Sequence, residues 1–304
     1  MTKQLTQIIT LQALTFLHPG SGQTTGVVDL PVQREVYSGH PMYASSGLKG
    51  SLRDKAEQKW GKNSKKIKIL FGTDANEEET KSSAGSIAVT DGRILAFPVR
   101  SLQKVFVWVT CPMVINRLLR DAALVKLPLP EGFGELDNEE DKALVQGSAN
   151  FKDPLVLEEV TYKPETNEKV SKIAGAINNL VGDNGFDPQR LVVIGDEDFT
   201  YFVQYATQVS ARIKLNERKT TTGDGGNLWY EETLPPETIL YGFVLYNRPR
   251  SDNEDINIKD AKGVKKTFNE LCSDNYLQIG GNETVGQGWC HINLYGGNSN
   301  AQDS

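Results

Sequence analysis

Residues 18–35 read HPGSGQTTGVVDLPVQRE and place three glycines, one of the chain's three histidines and a single aspartate in one segment. Glycine and proline interrupt regular elements, so this stretch makes a poor core segment and a good place for a ligand to approach the backbone. Within it, His18 and Asp29 are able to move a proton or hold a metal ion. A second loop, GGNETVGQG at 280–288, carries four glycines, Gly280, Gly281, Gly286 and Gly288, more than a plain turn needs. Nucleotide fingerprints do not fit the first loop. A Walker A loop ends in Gly-Lys-Ser/Thr at a helix start, whereas Gly26 leads into Val27, Val28 and Asp29, and the glycines are spaced G-x-G-x-x-x-G rather than G-x-G-x-x-G.

Two sets of cations stand near these loops. In SSGLKGSLRDKAEQKW, Leu48, Leu52, Ala56 and Trp60 recur every four residues, which predicts a helix with Ser45 or Ser46 as N-cap. Amides near Ser46 and Gly47, with Lys49 and Arg53 four apart on one face, form a candidate phosphate site; an ordinary capped helix with two solvated charges explains the same residues equally well. The stretch 211–232 reads as a β-hairpin with a long tip, TTTGDGG. Arg212 and Lys214 share a face, Arg218 and Lys219 approach the tip, and Trp229 sits on the return strand ahead of Tyr230 and Glu231. Bases stack on aromatics for roughly 1–3 kcal/mol each, so such an arm could grip or wedge a nucleic-acid strand. From the residues alone, Trp229 and Ile213 as core with solvated charges is the simpler account.

The elements that must position these groups follow from periodicity. TQIITLQALTFL has the apolar density of a buried strand and runs into the first loop. Residues 61–86 read as a polar insertion, IAVTDGRILAFPVR and KVFVWVTCP as strands, 113–124 as a short helix, and 128–190 as loops around a strand near 155–160. LVVIG is a further strand, and Phe199, Phe202, Val203, Ala206 and Val209 predict a helix behind an acidic first turn. A last helix near 258–271 precedes two strands flanking the second loop. The order predicts a single α+β domain: a mixed antiparallel sheet with helices on one face, of the ferredoxin-like or RNA-recognition-motif kind, with inserted loops and a protruding hairpin.

Composition bounds the function. No run reaches the ~18 apolar residues of a membrane span, and the start MTKQLTQIIT lacks a secretory pattern, so a soluble cytoplasmic protein is expected. Cys111, Cys272 and Cys290 are widely spaced with no C-x-x-C pair, which argues against a disulfide framework or zinc site. The net charge of −6 opposes nucleic-acid binding by bulk potential, but much of the acid lies in short runs such as 76–79, 137–141 and 252–255 that read as solvated loops.

In order, these pieces resemble one family: the Cas-seven group of repeat-associated (RAMP) proteins, and within it the fourth-Cmr-subunit family, backbone subunits of type III-B CRISPR effector complexes. The resemblance rests on HPGSG-x-x-x-GVVDLPVQRE, SSGLKGSLRD, AGSIAVTDGRILAFPVRSLQKVFVWVTCP, LVVIGDEDFTYFVQYATQVSARIKL, NLWYEETLPPET and GGNETVGQG, with little in 128–190. It implies an RNA-recognition-like palm, a thumb at 211–232, and copies stacked as a filament along a guide RNA beside the large polymerase-like and small Cmr subunits. It also implies cleavage of guide-paired target RNA by Asp29, either as ligand of a divalent metal, Mg or Mn, or as the base, with His18 as a candidate acid or phosphate contact and as readily a loop brace. The implied RNA contacts are Ser46, Lys49, Arg53, Arg212, Lys214, Arg218, Lys219, Trp229, Gly281, Gly286 and Gly288. A purely structural RNA-binding backbone, without cutting, is the competing expectation; a phosphate-binding metabolic enzyme is a more distant one.

Overall fold

The computed structural model describes residues 5–23, 26–73, 83–137, 140–182, 185–215, 228–250 and 258–296. Strand β1, Leu5–Ala13, is rich in apolar and β-branched residues, and every residue after the first is buried. It ends before the Leu17 expected of it, and the Gly-rich loop follows. A short strand β2, Met42–Tyr43, leads into helix α1, Ser45–Trp60, which buries Leu48, Leu52 and Ala56 as their spacing predicts. Neither serine caps α1. Ala44 is the N-cap, and the Asp91 carboxylate accepts from the Ser45 N–H at 2.7 Å, so an acid from a distant segment satisfies the helix end.

The stretch read as a polar insertion contains helix α2, Lys65–Phe71, with Ile67, Ile69, Leu70 and Phe71 buried. Strands β3, Ile87–Val89, β4, Gly92–Ser101, and β5, Val105–Thr110, follow, then helix α3, Pro112–Leu124. Residues 128–190 depart most from expectation. They hold strands β6, Lys142–Val145, β7, Leu155–Leu157, and β8, Val160–Thr166, and helix α4, Glu168–Val181. In α4, Val170, Ile173, Ala174, Ile177 and Leu180 form a buried stripe, and the Asn167 side chain accepts from Lys169 N–H at 2.8 Å as its cap.

Strand β9, Leu191–Val193, precedes helix α5, Asp196–Tyr205. The helix stops short of Ala206 and Val209; Val209 is exposed on strand β10, Gln208–Ile213, which pairs with β11, Leu228–Thr233, as a separate two-stranded sheet. Strand β12, Ile239–Tyr246, is an element that sequence reading omits; helix α6, Ala261–Leu271, and strands β13, Tyr276–Gln278, and β14, Trp289–Tyr295, complete the described chain.

The main sheet runs β13-β14-β1-β12-β4, each neighbouring pair antiparallel. Beyond Ala96, β4 continues into a closed ring, β4-β5-β9-β6-β8-β7, completed where Ser101 pairs with Leu157. Helices cover both faces of the main sheet, not one. Tyr246, opposite Leu5, packs edge-on against Phe268 of α6 with ring centroids 5.7 Å apart, while Thr10 donates to the Leu180 carbonyl of α4 at 2.9 Å. Leu5 and Thr10 are separated by an odd number along β1, so they leave opposite faces. Among the described residues no helix is long and apolar enough to cross a membrane.

Candidate functional site

The two Gly-rich loops meet around His18 and Tyr43. His18 is buried, with Nδ1 2.7 Å from the Glu232 carbonyl, so Nδ1 carries the proton. The His18 carbonyl accepts from Gly281 N–H at 3.1 Å, and Tyr43 Oη accepts from Gly280 N–H at 2.9 Å. Close approach explains particular glycines. A Cβ on Gly280, at φ +78°, would lie 2.6 Å from the His18 carbonyl oxygen, and one on Gly20 would lie 2.8 Å from His18 Nε2. A Cβ on Gly47 would press to 3.2 Å from the Tyr43 ring, which rests on the first turn of α1. The α1 terminus, the first loop and the second loop therefore form one surface, with His18 acting as a brace between the two loops.

The base of the β10–β11 hairpin completes that surface. Asp29 is half-buried, and its Oδ2 accepts from Tyr230 N–H at 2.7 Å. Leu30 continues the contact: its N–H donates to the Tyr230 carbonyl at 3.0 Å and its carbonyl accepts from Glu232 N–H at 3.0 Å. The first loop thus lies along β11 as a short parallel partner. Glu231, buried, accepts from Asn282 Nδ2 at 2.6 Å and from Arg212 Nη2 at 3.2 Å, joining the hairpin to the second loop. Residue reading underweighted Glu231 and missed Glu232, Gln33 and Tyr43. Gln33 donates from Nε2 to the Gly20 carbonyl and accepts from Ala44 N–H, each at 2.8 Å, tying the first loop to α1.

The expected RNA contacts separate into groups. Ser46 is exposed and Lys49 half-buried at the α1 terminus, and Lys49 makes no ion pair among the described residues. Arg53 is committed within the fold: Nε pairs with Glu57 at 3.1 Å and Nη1 donates to the Gly72 carbonyl at 3.2 Å, joining α1 to α2. Arg212 stands directly across from Trp229 and is paired with Glu231; Lys214 is exposed beyond the end of β10. Arg218, Lys219 and the TTTGDGG tip lie outside the described residues. In the second loop, Gly288, at φ +81°, is required by packing, since a Cβ there would fall 2.0 Å from the Ile279 carbonyl oxygen; Gly286, at φ +78°, faces open space.

Behind the first loop lies a buried charged cluster. Arg117 Nη1 donates to both Glu35 oxygens, at 2.9 and 2.7 Å, and to Tyr37 Oη at 3.0 Å. Burial pushes the Glu35 carboxyl up, but the Ser38 hydroxyl and the Arg117 guanidinium outweigh it and hold the group below its ordinary value. His40, wholly buried, is pushed down to about 4 by burial first and by the Arg117 charge second. The three described cysteines are buried and unpaired, and burial raises each thiol, so none is a nucleophile.

No three His, Cys, Asp or Glu side chains gather to hold a metal ion among the described residues. Glu231 is engaged through Oε1 by Arg212 and Asn282 and Glu232 through both oxygens by Val32, Arg34 and Thr207, whereas Asp29 accepts one bond, at Oδ2, and stands partly exposed beside them. That donor set fits a divalent ion of the Mg²⁺ type, which takes one or two protein carboxylates and completes its shell with waters and substrate phosphate oxygens.

The family model described as the RAMP superfamily matches residues 10–291 of this chain. The chain is 35% identical over 291 residues, covering 94% of itself and 95% of the relative, to the CRISPR system Cmr endoribonuclease Cmr4 of Pyrococcus furiosus. Its fold is similar to the crystal structure of oligomeric Cmr4 from Pyrococcus furiosus, with TM-score 0.71 at 28% identity, over 98% of this chain and 100% of that one. A chain in the cryo-EM structure of a type III-B Cmr-beta complex bound to cognate target RNA is alike in fold, with TM-score 0.71 at 20% identity, over 95% of this chain and 96% of that one.

Proposed function

The chain belongs to the RAMP superfamily, within it to the Cmr4 family, and from that membership we propose that it is a backbone subunit of a type III-B CRISPR effector that cleaves guide-paired target RNA. The β14-β1-β12-β4 sheet, with α1 between β1 and β4 and α6 between β12 and β14, is read as a ferredoxin-like palm, and the β10–β11 hairpin as a thumb. Copies of the subunit line a guide RNA together with other Cmr subunits, the large polymerase-like and small ones included. The oligomeric state of the crystallised Pyrococcus furiosus relative supports self-association, and the endoribonuclease name of the curated relative supports RNA cutting.

The observation that carries the catalytic part is Asp29, a partly exposed carboxylate fixed on the hairpin base where both Gly-rich loops converge. In RNA cleavage by the adjacent ribose, the 2′-oxygen forms a bond to phosphorus, the bond to the 5′-oxygen breaks, the 2′-OH proton goes to a base and the leaving oxygen takes one up. Lys49 and the loop amides hold the phosphates, and Trp229 presents a face to a base at the interrupted duplex. Asp29 orients the 2′-OH and either accepts its proton or holds the divalent ion. When bound, such an ion neutralises phosphate charge and acidifies its water. His18, with its ring clasped by loop backbone, positions rather than reacts.

The test is an assembled complex carrying Asp29→Ala, given complementary RNA and Mg²⁺. Target affinity is expected to stay unchanged while cutting falls by about 10²- to 10⁴-fold, the range of a lost acid–base or metal-holding group, and chelation of divalent ions stops the parent complex. Cutting that persists at the parental rate overturns the assignment of Asp29 as the cleaving residue and favours the reading of a non-catalytic scaffold.

A further inference from the structure

Glu231 and Glu232 are consecutive on β11, so their side chains leave opposite faces of the hairpin. Glu231 reaches the second loop, as described; Glu232 reaches the first. Its Oε2 accepts from Val32 N–H at 3.0 Å, and its Oε1 accepts from Arg34 Nη2 at 2.5 Å and from the Thr207 hydroxyl at 2.8 Å. The peptide of the same residue adds two bonds, donating to the Leu30 carbonyl at 3.0 Å and accepting from His18 Nδ1 at 2.7 Å. One buried residue therefore holds the loop at His18, Leu30, Val32 and Arg34, on both sides of Asp29. Arg34 extends the hold by donating to the Val203 carbonyl at 2.9 Å, near the end of the helix that feeds β10.

We propose that Glu232 is a positioning residue for target cleavage: it locks the Asp29 loop onto the return strand of the hairpin, so that the hairpin, rather than the central sheet, sets where the Asp29 carboxylate stands. The inference rests on the reading of Asp29 as the cleaving carboxylate. Asp29 Oδ2, Leu30 N–H and Val32 N–H all find partners on β11, and the charged carboxylate of Glu232 accepts three of the bonds in this network. Movement of the hairpin as it engages a guide-target duplex is thereby transmitted to the carboxylate. Neutralising Glu232 without changing its shape breaks the lock, because an amide NH₂ would face the Arg34 or Val32 donors.

The test compares parent, Glu232→Gln and Asp29→Ala complexes assembled with guide RNA, measuring target affinity, single-turnover cutting, and hydrogen exchange of residues 26–35 in the subunit without RNA. Glu232→Gln is expected to leave affinity unchanged, slow cutting by roughly 10- to 100-fold, the scale of an ångström-level misplacement, and speed exchange at Leu30 and Val32. Thr207→Val, which removes one bond to Oε1 and keeps the shape, serves if Glu232→Gln fails to assemble; it is expected to slow cutting by a smaller factor at unchanged affinity. Unchanged cutting and exchange in these variants, or cutting and affinity falling together, overturns the positioning role. If Asp29→Ala still cuts, the premise fails instead, and the exchange measurement still decides whether Glu232 anchors the loop.

Discussion

A loss of stability between pH 7 and pH 5 is expected from His40. The ring is wholly buried, edge-on to Phe199 at 5.1 Å, with Nε2 3.0 Å from Thr200 Oγ1. Thr200 donates its own proton to the Asp196 carbonyl at 2.8 Å, so its oxygen accepts from His40 Nε2–H; Nδ1 stays bare and without a hydrogen-bond partner. Protonation would create a second buried donor near the Arg117 charge, which is why burial, then that charge, push His40 from 6.5 to about 4. Because the folded value lies below the unfolded one, the unfolded chain binds more protons between them. Stability is therefore full above the unfolded value and falls as pH drops toward the folded one, by about 2 kcal/mol at pH 5. Glu35 acts lower: its depressed carboxyl contributes above the ordinary carboxylate value and is lost only as pH falls through the folded value. His291, also depressed by burial, contributes a loss of the same sign as pH falls below the ordinary imidazole value and is left intact as a common background. Urea unfolding at pH 7 and pH 5 should show the parent losing about 2 kcal/mol more than His40→Gln across that interval. Equal losses in the two proteins would refute the assignment.

Two further substitutions probe the frame around the site. Glu35→Ala strands a buried Arg117 whose Nε and Nη2 already lack hydrogen bonds, and a broken buried pair costs about 3–5 kcal/mol, to be read by thermal or urea unfolding. Gly288→Ala forces a Cβ to 2.0 Å from the Ile279 carbonyl oxygen at φ +81°, so it should cost more than the ~1–2 kcal/mol left-handed penalty and weaken RNA binding, while Gly286→Ala, at an open site, should cost that penalty alone.

Much of the site's inventory is visible in the sequence because its signals are local. The first strand, the four-residue stripe of α1 and both glycine clusters each lie within a few turns or residues of chain; the stripe and the clusters fall where the pattern places them, and the strand does so except that it ends at Ala13 instead of Leu17. Two elements escaped for different reasons. ILYGFVLY has no polar alternation, because β12 pairs with both β1 and β4 and is buried nearly throughout, so period-two reading finds nothing. The α4 stripe at 170, 173, 174, 177 and 180 was legible, with Asn167 as cap and Gly182 at the end, but the surrounding prolines, glycines and acids drew the stretch toward loop. Its presence is what covers the second face of the sheet.

Sequence alone supplies the chemistry: a lone aspartate in a glycine-rich loop, and a hairpin with cations on one strand and Trp229, Tyr230 and Glu231 on the return strand. Tertiary structure alone decides that Asp29 is held by Tyr230, 201 residues away, and that Glu231 and Glu232 serve different loops. Local propensity ranges over a turn of helix or a pair of strand neighbours, whereas these bonds exist because a sheet assembled from both ends of the chain brings the first loop and the hairpin base into register.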